Sequence, residues 1–196
     1  MADVIDGLGL GCPDVVGSSQ GGWLALNLAL LKPNRVGALA LLAPAGAIVP
    51  IRPMMRLFIK VGPMMPAWTG PPSLKGLLGG RAPVDHRIVR LLTLHLEHFR
   101  YQQKAVFPTV FREEELQRLE SPVLLLVGDH EKIYHADSTL KKAARVLADV
   151  EAELVVGVGH LINMECPQFV DKRLLRFLSE HQSSGRTTGP SWTGSA

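Results

Sequence analysis

Apolar positions fall into short runs with two different rhythms along this chain. Val4, Ile5, Leu8 and Leu10 suggest the last turns of a helix ending at Gly9 or Gly11. Pro13–Ser18 reads as a short strand, and Gly21–Leu31 as a helix apolar nearly all round, which predicts burial against a sheet. Lys32-Pro33-Asn34-Arg35 stops that helix. Val36–Ala43 is an uninterrupted apolar run, the pattern of a strand covered on both faces of a parallel sheet. Strand, helix and strand in such close succession predict a right-handed βαβ unit. The rhythm returns after Ser121-Pro122. Val123–Val127 reads as a buried strand, Ala136–Val150 as an amphipathic helix and Glu153–Val158 as a further strand. A last amphipathic helix opens at Cys166-Pro167, with the proline suited to its first turn.

Between these blocks the pattern breaks down. From residue 45 to 121 prolines and glycines are frequent, and no Asp or Glu occurs between Val36 and Val84. Met54, Met55, Met64, Met65 and Trp68 fall here, with amphipathic helices expected at Met54–Val61, Asp85–Tyr101 and Glu113–Leu119. This is the composition of an inserted helical cap, and methionines suit either a pocket lid or simple packing against the body. Four segments result: a core unit at 1–44, a cap at 45–121, a second core unit at 122–181, and a Ser/Gly/Thr-rich tail at 182–196 read as disordered.

Composition narrows the classes. The chain has 196 residues, 46% apolar and 20% charged, enough for one sizeable core. The net charge of +3 is mild and dispersed, which argues against nucleic acid as a partner. No apolar run approaches the ~20 residues that span a bilayer, so no membrane partner is expected. The N-terminus has neither the basic nor the apolar region of a signal peptide. Two cysteines, Cys12 and Cys166, make neither a disulfide framework nor a metal site, and a cytoplasmic setting is the simplest expectation. Neither a metal nor an organic cofactor is expected.

The candidate chemistry sits at the first strand–helix junction. Gly17-Ser18-Ser19-Gln20-Gly21 fits G-x-S-x-G, a sharp turn that exposes a nucleophilic serine, here Ser19. Gly17 and Gly21 are expected where side chains would collide, and the Gln20 N–H would point at a developing oxyanion. A serine nucleophile needs a base and an acid, and strand ends supply both: Asp129 or Glu131, then His160. The glycines of residues 17–22 lack both the G-x-G-x-x-G spacing and the Lys-Ser/Thr of a phosphate loop, which disfavours a nucleotide-binding domain.

Three motifs in order carry a family resemblance: Val16–Gly22, Pro122–Glu131 and Gly157–Pro167. From about Ala2 to Glu180 the chain resembles the C-terminal two-thirds of an α/β-hydrolase-fold protein of the capped esterase and C–C-bond-hydrolase type. The resemblance implies an α/β fold: a partial α/β-hydrolase with a mostly parallel sheet of about four strands, flanking helices and a cap insertion. It implies Ser19 as nucleophile, His160 as base, and an acid in the loop after the third strand. The family spacing nominates Glu131, with Asp129 as the alternative. His130 and His135 share the acid's loop, while His86, His95 and His98 fall in the cap. The implied activity is serine hydrolysis of a small carboxylic ester or related acyl substrate. One departure stands out. The family has further strands before the elbow, one of whose loops donates a second oxyanion N–H. Without them the first strand presents an open apolar edge, suited to a homodimer. The alternative implied by that departure is an inactive, non-catalytic remnant.

Overall fold

A computed structural model describes residues 1–61, 79, 84–98 and 106–181. Helix α1 (Ala2–Gly7) leads to strand β1 (Val15–Ser18), helix α2 (Gln20–Leu31), a 3-10 turn at Pro33–Arg35 and strand β2 (Leu39–Leu42). Helices α3 (Pro53–Val61), α4 (His86–His98) and α5 (Glu113–Leu116) precede strand β3 (Val123–Gly128). Helix α6 (Ala136–Val146), strand β4 (Val150–Val155), and helices α7 (Ile162–Glu165) and α8 (Pro167–Glu180) complete the described chain.

The four strands pair in parallel in the order β1-β2-β3-β4. Side chains alternate across such a sheet, and both faces are covered. Leu39, Leu41, Val123, Leu125 and Val127 belong to a core shared with Ala25, Leu26 and Ala29 of α2 and Ala143 and Val146 of α6. Ala40, Leu42, Leu124 and Leu126 face the other way, toward Ile162 of α7 and Val170 and Phe177 of α8. This double burial is the reason β2 and β3 read as continuous apolar runs.

Register places the functional loops together. Ser18, Leu42 and Leu126 are level across β1–β3, and Gly128 pairs with Val155 of β4. The loops after β1, β3 and β4 therefore leave from one edge of the sheet, where open α/β sheets gather their sites.

Several boundaries differ from the sequence pattern. β2 spans Leu39–Leu42 rather than Val36–Ala43, although Val36, Ala38 and Ala43 are buried, because Ala43 turns to φ 45°. α6 ends at Val146 and β4 begins at Val150, not Glu153, because Val150 pairs with Val123. β4 ends at Val155, where Gly157 adopts φ +81°. Glu151 and Glu153 lie on its less exposed face, opposite Ala152 and Leu154, and both bind Arg173 of α8, at 2.8 and 2.9 Å. α5 stops at Leu116, and the short α7 has no counterpart in the sequence reading. The described part of the 45–121 segment contains helices and no strand, while much of the expected cap and the whole 182–196 tail lie outside the described residues.

The expectation that α2 is buried all round holds on one side only. Gly22, Ala25, Leu26, Leu28 and Ala29 are buried, but Leu24 and Leu31 are exposed. Among the described residues β1 and β4 are the end strands of the sheet, and Val16 of β1 is 48% exposed.

Candidate active site

Ser19 is the pivot between β1 and α2. Its backbone takes φ 52° and ψ −120°, a conformation that costs a non-glycine residue on the order of 1–3 kcal/mol. Both its backbone polar groups are engaged. Its N–H donates to the Leu42 carbonyl at 2.9 Å, and its own carbonyl accepts the N–H groups of Gly22 and Ala45 at 3.0 and 3.1 Å. These bonds hold the strained turn, so the hydroxyl is aimed by the backbone.

The glycines do not divide the crowding as the motif suggests. A Cβ on Gly17 would stand 2.4 Å from the Gly21 carbonyl oxygen, which no backbone tolerates. A Cβ on Gly21 would meet nothing within 4 Å. The second tight position is Gly22, whose Cβ would approach Pro44 at 2.9 Å. The steric role expected of Gly21 thus falls to Gly22, because Gly21 faces outward and only its carbonyl is crowded. Gln20 opens α2, so its N–H is among the terminal amides that no carbonyl within the helix can accept. Its side chain instead donates to the Val106 carbonyl at 3.1 Å.

His160 and Glu131 meet Ser19 in a line. The His160 Nε2 lies 2.7 Å from the Ser19 hydroxyl, and Nδ1 lies 2.7 Å from Glu131 Oε2. The Glu131 side chain is fully buried and that of His160 is 3% exposed. The other carboxylate oxygen of Glu131 accepts the Ile133 N–H at 2.7 Å. A carboxylate only accepts, so Nδ1 carries the proton and Nε2 is free to accept from the hydroxyl. Hydroxyl, imidazole and buried carboxylate in series can draw a proton off oxygen and stabilise the cation that results.

The remaining candidates go elsewhere. Asp129 accepts the Gly157 N–H at 2.8 Å and so braces the turn after β4; Glu131, not Asp129, reaches His160. His130 lies near Asp129 at 3.9 Å, and His135 sits beside Arg52 at 3.4 Å. His86 is exposed next to Asp85, while the side chains of His95 and His98 lie outside the described residues. A cavity of about 390 Å³ lies on the far side of the acid, lined by Arg52, Glu131, His135 and Leu154 but not by Ser19 or His160. Among the described residues no cluster could hold a metal ion, and no helix is long and apolar enough to cross a membrane.

Other side chains that shape the site gave no clear signal in the sequence. Glu165 of α7, 5% exposed, accepts the Gly159 N–H at 2.9 Å and so steadies the residue before His160. Gly128 lets the same loop approach, since a Cβ there would stand 2.4 Å from the Val158 oxygen. Tyr134, wholly buried, meets the His160 ring edge-on. The available hints were an acidic residue in an apolar turn after His160 and an aromatic residue closing a polar loop.

A serine on a strand–helix turn, with acid and histidine following in chain order at the ends of parallel strands, is the arrangement of one class of enzyme fold. Residues 1–173 match the model of the alpha/beta hydrolase family, and the chain belongs to that family. It is 31% identical to carboxylesterase YbfK of Bacillus subtilis over 185 residues, covering 91% of this chain and 61% of the relative. It is also 31% identical to the carboxylesterase nap of the same organism, over 95% of this chain and 63% of that one. The crystal structure of carboxylesterase CesB (YbfK) superposes with a TM-score of 0.83 at 29% identity, over 92% of this chain and 64% of the other. The chain thus spans less than two thirds of the length of these relatives.

Proposed function

We propose that this chain carries the nucleophile, base and acid of a serine hydrolase acting on small carboxylic esters. The observation that carries the reading is the continuous series from the Ser19 hydroxyl through His160 to a fully buried Glu131, at 2.7 Å in each step. The relatives named as carboxylesterases support the ester as substrate class.

In this reading the Ser19 proton passes to His160 Nε2 as Oγ attacks the ester carbonyl. The Gln20 N–H donates to the oxyanion, at the positive end of α2. Collapse breaks the bond to the alkoxy group, which takes the proton from Nε2 and leaves as alcohol. Water then attacks the acyl-serine and gives a proton to Nε2, which passes it to the Ser19 Oγ as the bond to the acyl group breaks and the acid departs. Glu131 keeps its charge throughout and offsets that of the imidazolium. No step calls for a metal or organic cofactor.

Residues 45–121 are read as a cap over this site. Gly79 supports that reading, since a Cβ on it would stand 3.0 Å from the His130 carbonyl. The free thiols Cys12 and Cys166 accord with a cytoplasmic setting. Self-pairing through the β1 edge is the oligomeric state we propose, and gel filtration would show it as a dimer.

Labelling with a fluorophosphonate probe tests the central claim. Wild type should label covalently, while Ser19→Ala and His160→Ala should not. A folded wild-type chain that does not label would overturn the claim that this polypeptide is itself a hydrolase.

A further inference from the structure

The catalytic reading leaves one buried titratable group without a task. Tyr134 follows the acid by three positions and is 0% exposed. Its ring stands edge-on to that of His160, with centroids 6.3 Å apart and planes at 83°. Its hydroxyl has no partner at full hydrogen-bonding geometry among the described residues. Burial, and then the charge and acceptor oxygens of Glu131, push its ionisation well above the usual tyrosine range.

A tyrosine hydroxyl is costly to bury unpaired, on the order of 1–3 kcal/mol. A fully buried carboxylate has the complementary need, because each donor it gains offsets lost hydration. Glu131 has two donors, the His160 Nδ1–H and the Ile133 N–H. The Tyr134 hydroxyl, fully buried three positions along the same loop, is the group available to be the third. The ring has a separate use. Its edge against the imidazole restricts the tilt that would carry Nε2 away from Ser19.

We propose that Tyr134 is a positioning residue: its hydroxyl steadies the Glu131 carboxylate, and its ring edge sets the plane of the His160 imidazole. The role rests on the reading of Ser19, His160 and Glu131 as the working series. It goes beyond that reading by adding a member that touches neither substrate nor nucleophile. Among the described residues, Ser19 of the elbow and Glu131 and Tyr134 of the loop after β3 stand against His160. Glu165 of α7 acts one residue away, through the Gly159 amide.

Tyr134→Phe removes the hydroxyl and keeps the ring, so the fold is retained. A donor on the carboxylate shares its charge, and losing that donor strengthens the remaining bond from His160. The Nδ1-bound proton of His160 should therefore move downfield in the proton NMR spectrum of Tyr134→Phe. The rate of fluorophosphonate labelling should fall on the order of tenfold, the equivalent of one lost hydrogen bond to a charged group. In the reverse experiment, Glu131→Gln should let the Tyr134 hydroxyl ionise at lower pH, read from tyrosinate absorbance. An unmoved His160 resonance in Tyr134→Phe, or a tyrosinate titration indifferent to Glu131→Gln, would overturn the proposal. Both readouts work on a chain that fails to label, so failure of the catalytic reading is separately visible.

Discussion

The closed middle of the sheet and its open β1 edge are built to different standards. At β3 the strand lies between β2 and β4, with core packed on both faces and a buried acid loop against the histidine loop. Leu124, Leu125 and Leu126 are all 0% exposed there. At β1 the sheet ends among the described residues, and apolar Val16, Leu24 and Leu31 face outward. Glu131 comes from the loop after the central β3, while Ser19 and His160 follow the end strands β1 and β4. Ser19 is nonetheless held as firmly as its partners, because its hydrogen bonds run to Leu42 and Ala45 rather than to the open edge. Placement of a site residue depends on which neighbours its own backbone binds, not on how well its whole strand is covered.

The largest expected effect measures that contrast directly. Leu125→Ala should cost about 2–5 kcal/mol in urea unfolding, the penalty for a cavity in a closed core. Val16→Ala, in the half-exposed end strand, should cost under about 1 kcal/mol. Equal losses at the two positions would mean that β1 is as well covered as β3.

The elbow supplies a sharper comparison within the open side. Gly17→Ala forces a Cβ onto the Gly21 carbonyl and should cost about 1–3 kcal/mol or more, with loss of probe labelling. Gly21→Ala, inside α2 with open space around it, should be neutral or stabilising by about 0.5–1 kcal/mol. A reversed order would show that Gly21, not Gly17, sets the turn.

A further effect appears at alkaline pH and belongs to the loop after β3. The Tyr134 pKa is raised in the fold, so its contribution is complete below the ordinary tyrosine value of 10.0 and is lost as pH rises above it. Stability should then decline by up to about 1.4 kcal/mol for each pH unit, the linkage slope of one proton. Tyr134→Phe should flatten that decline. An identical alkaline limb in wild type and variant would place the sensitivity elsewhere.

Much of this was legible before any coordinates. The double burial of β2 and β3 shows in Leu39–Leu42 and Val123–Val127 because a strand covered on both faces has no polar side to alternate with. The junction of β1 and α2 shows because a strained serine turn needs glycine at a close approach. Boundaries were less legible. Leu147 and Val150 continue the helical apolar pattern, yet the backbone leaves the helix at Val146 because β3 offers Val150 a parallel partner. Local pattern cannot register a competitor that is distant in sequence.

By itself the sequence determined the layered α/β fold, the serine turn, and the order of serine, acid and histidine along the chain. All of these follow from local periodicity and steric demand. Family spacing already nominated Glu131 over Asp129; tertiary structure alone decided that Gly22 and not Gly21 is the crowded glycine, and that Tyr134 and Glu165 stand behind the site. The crowding of Gly22 comes from the approach of Pro44, and the other outcomes depend on where the loops after β3 and β4 meet. That meeting is set by the parallel register of the strands and by the room Gly128 leaves for the histidine loop, neither of which is a property of any short stretch of chain.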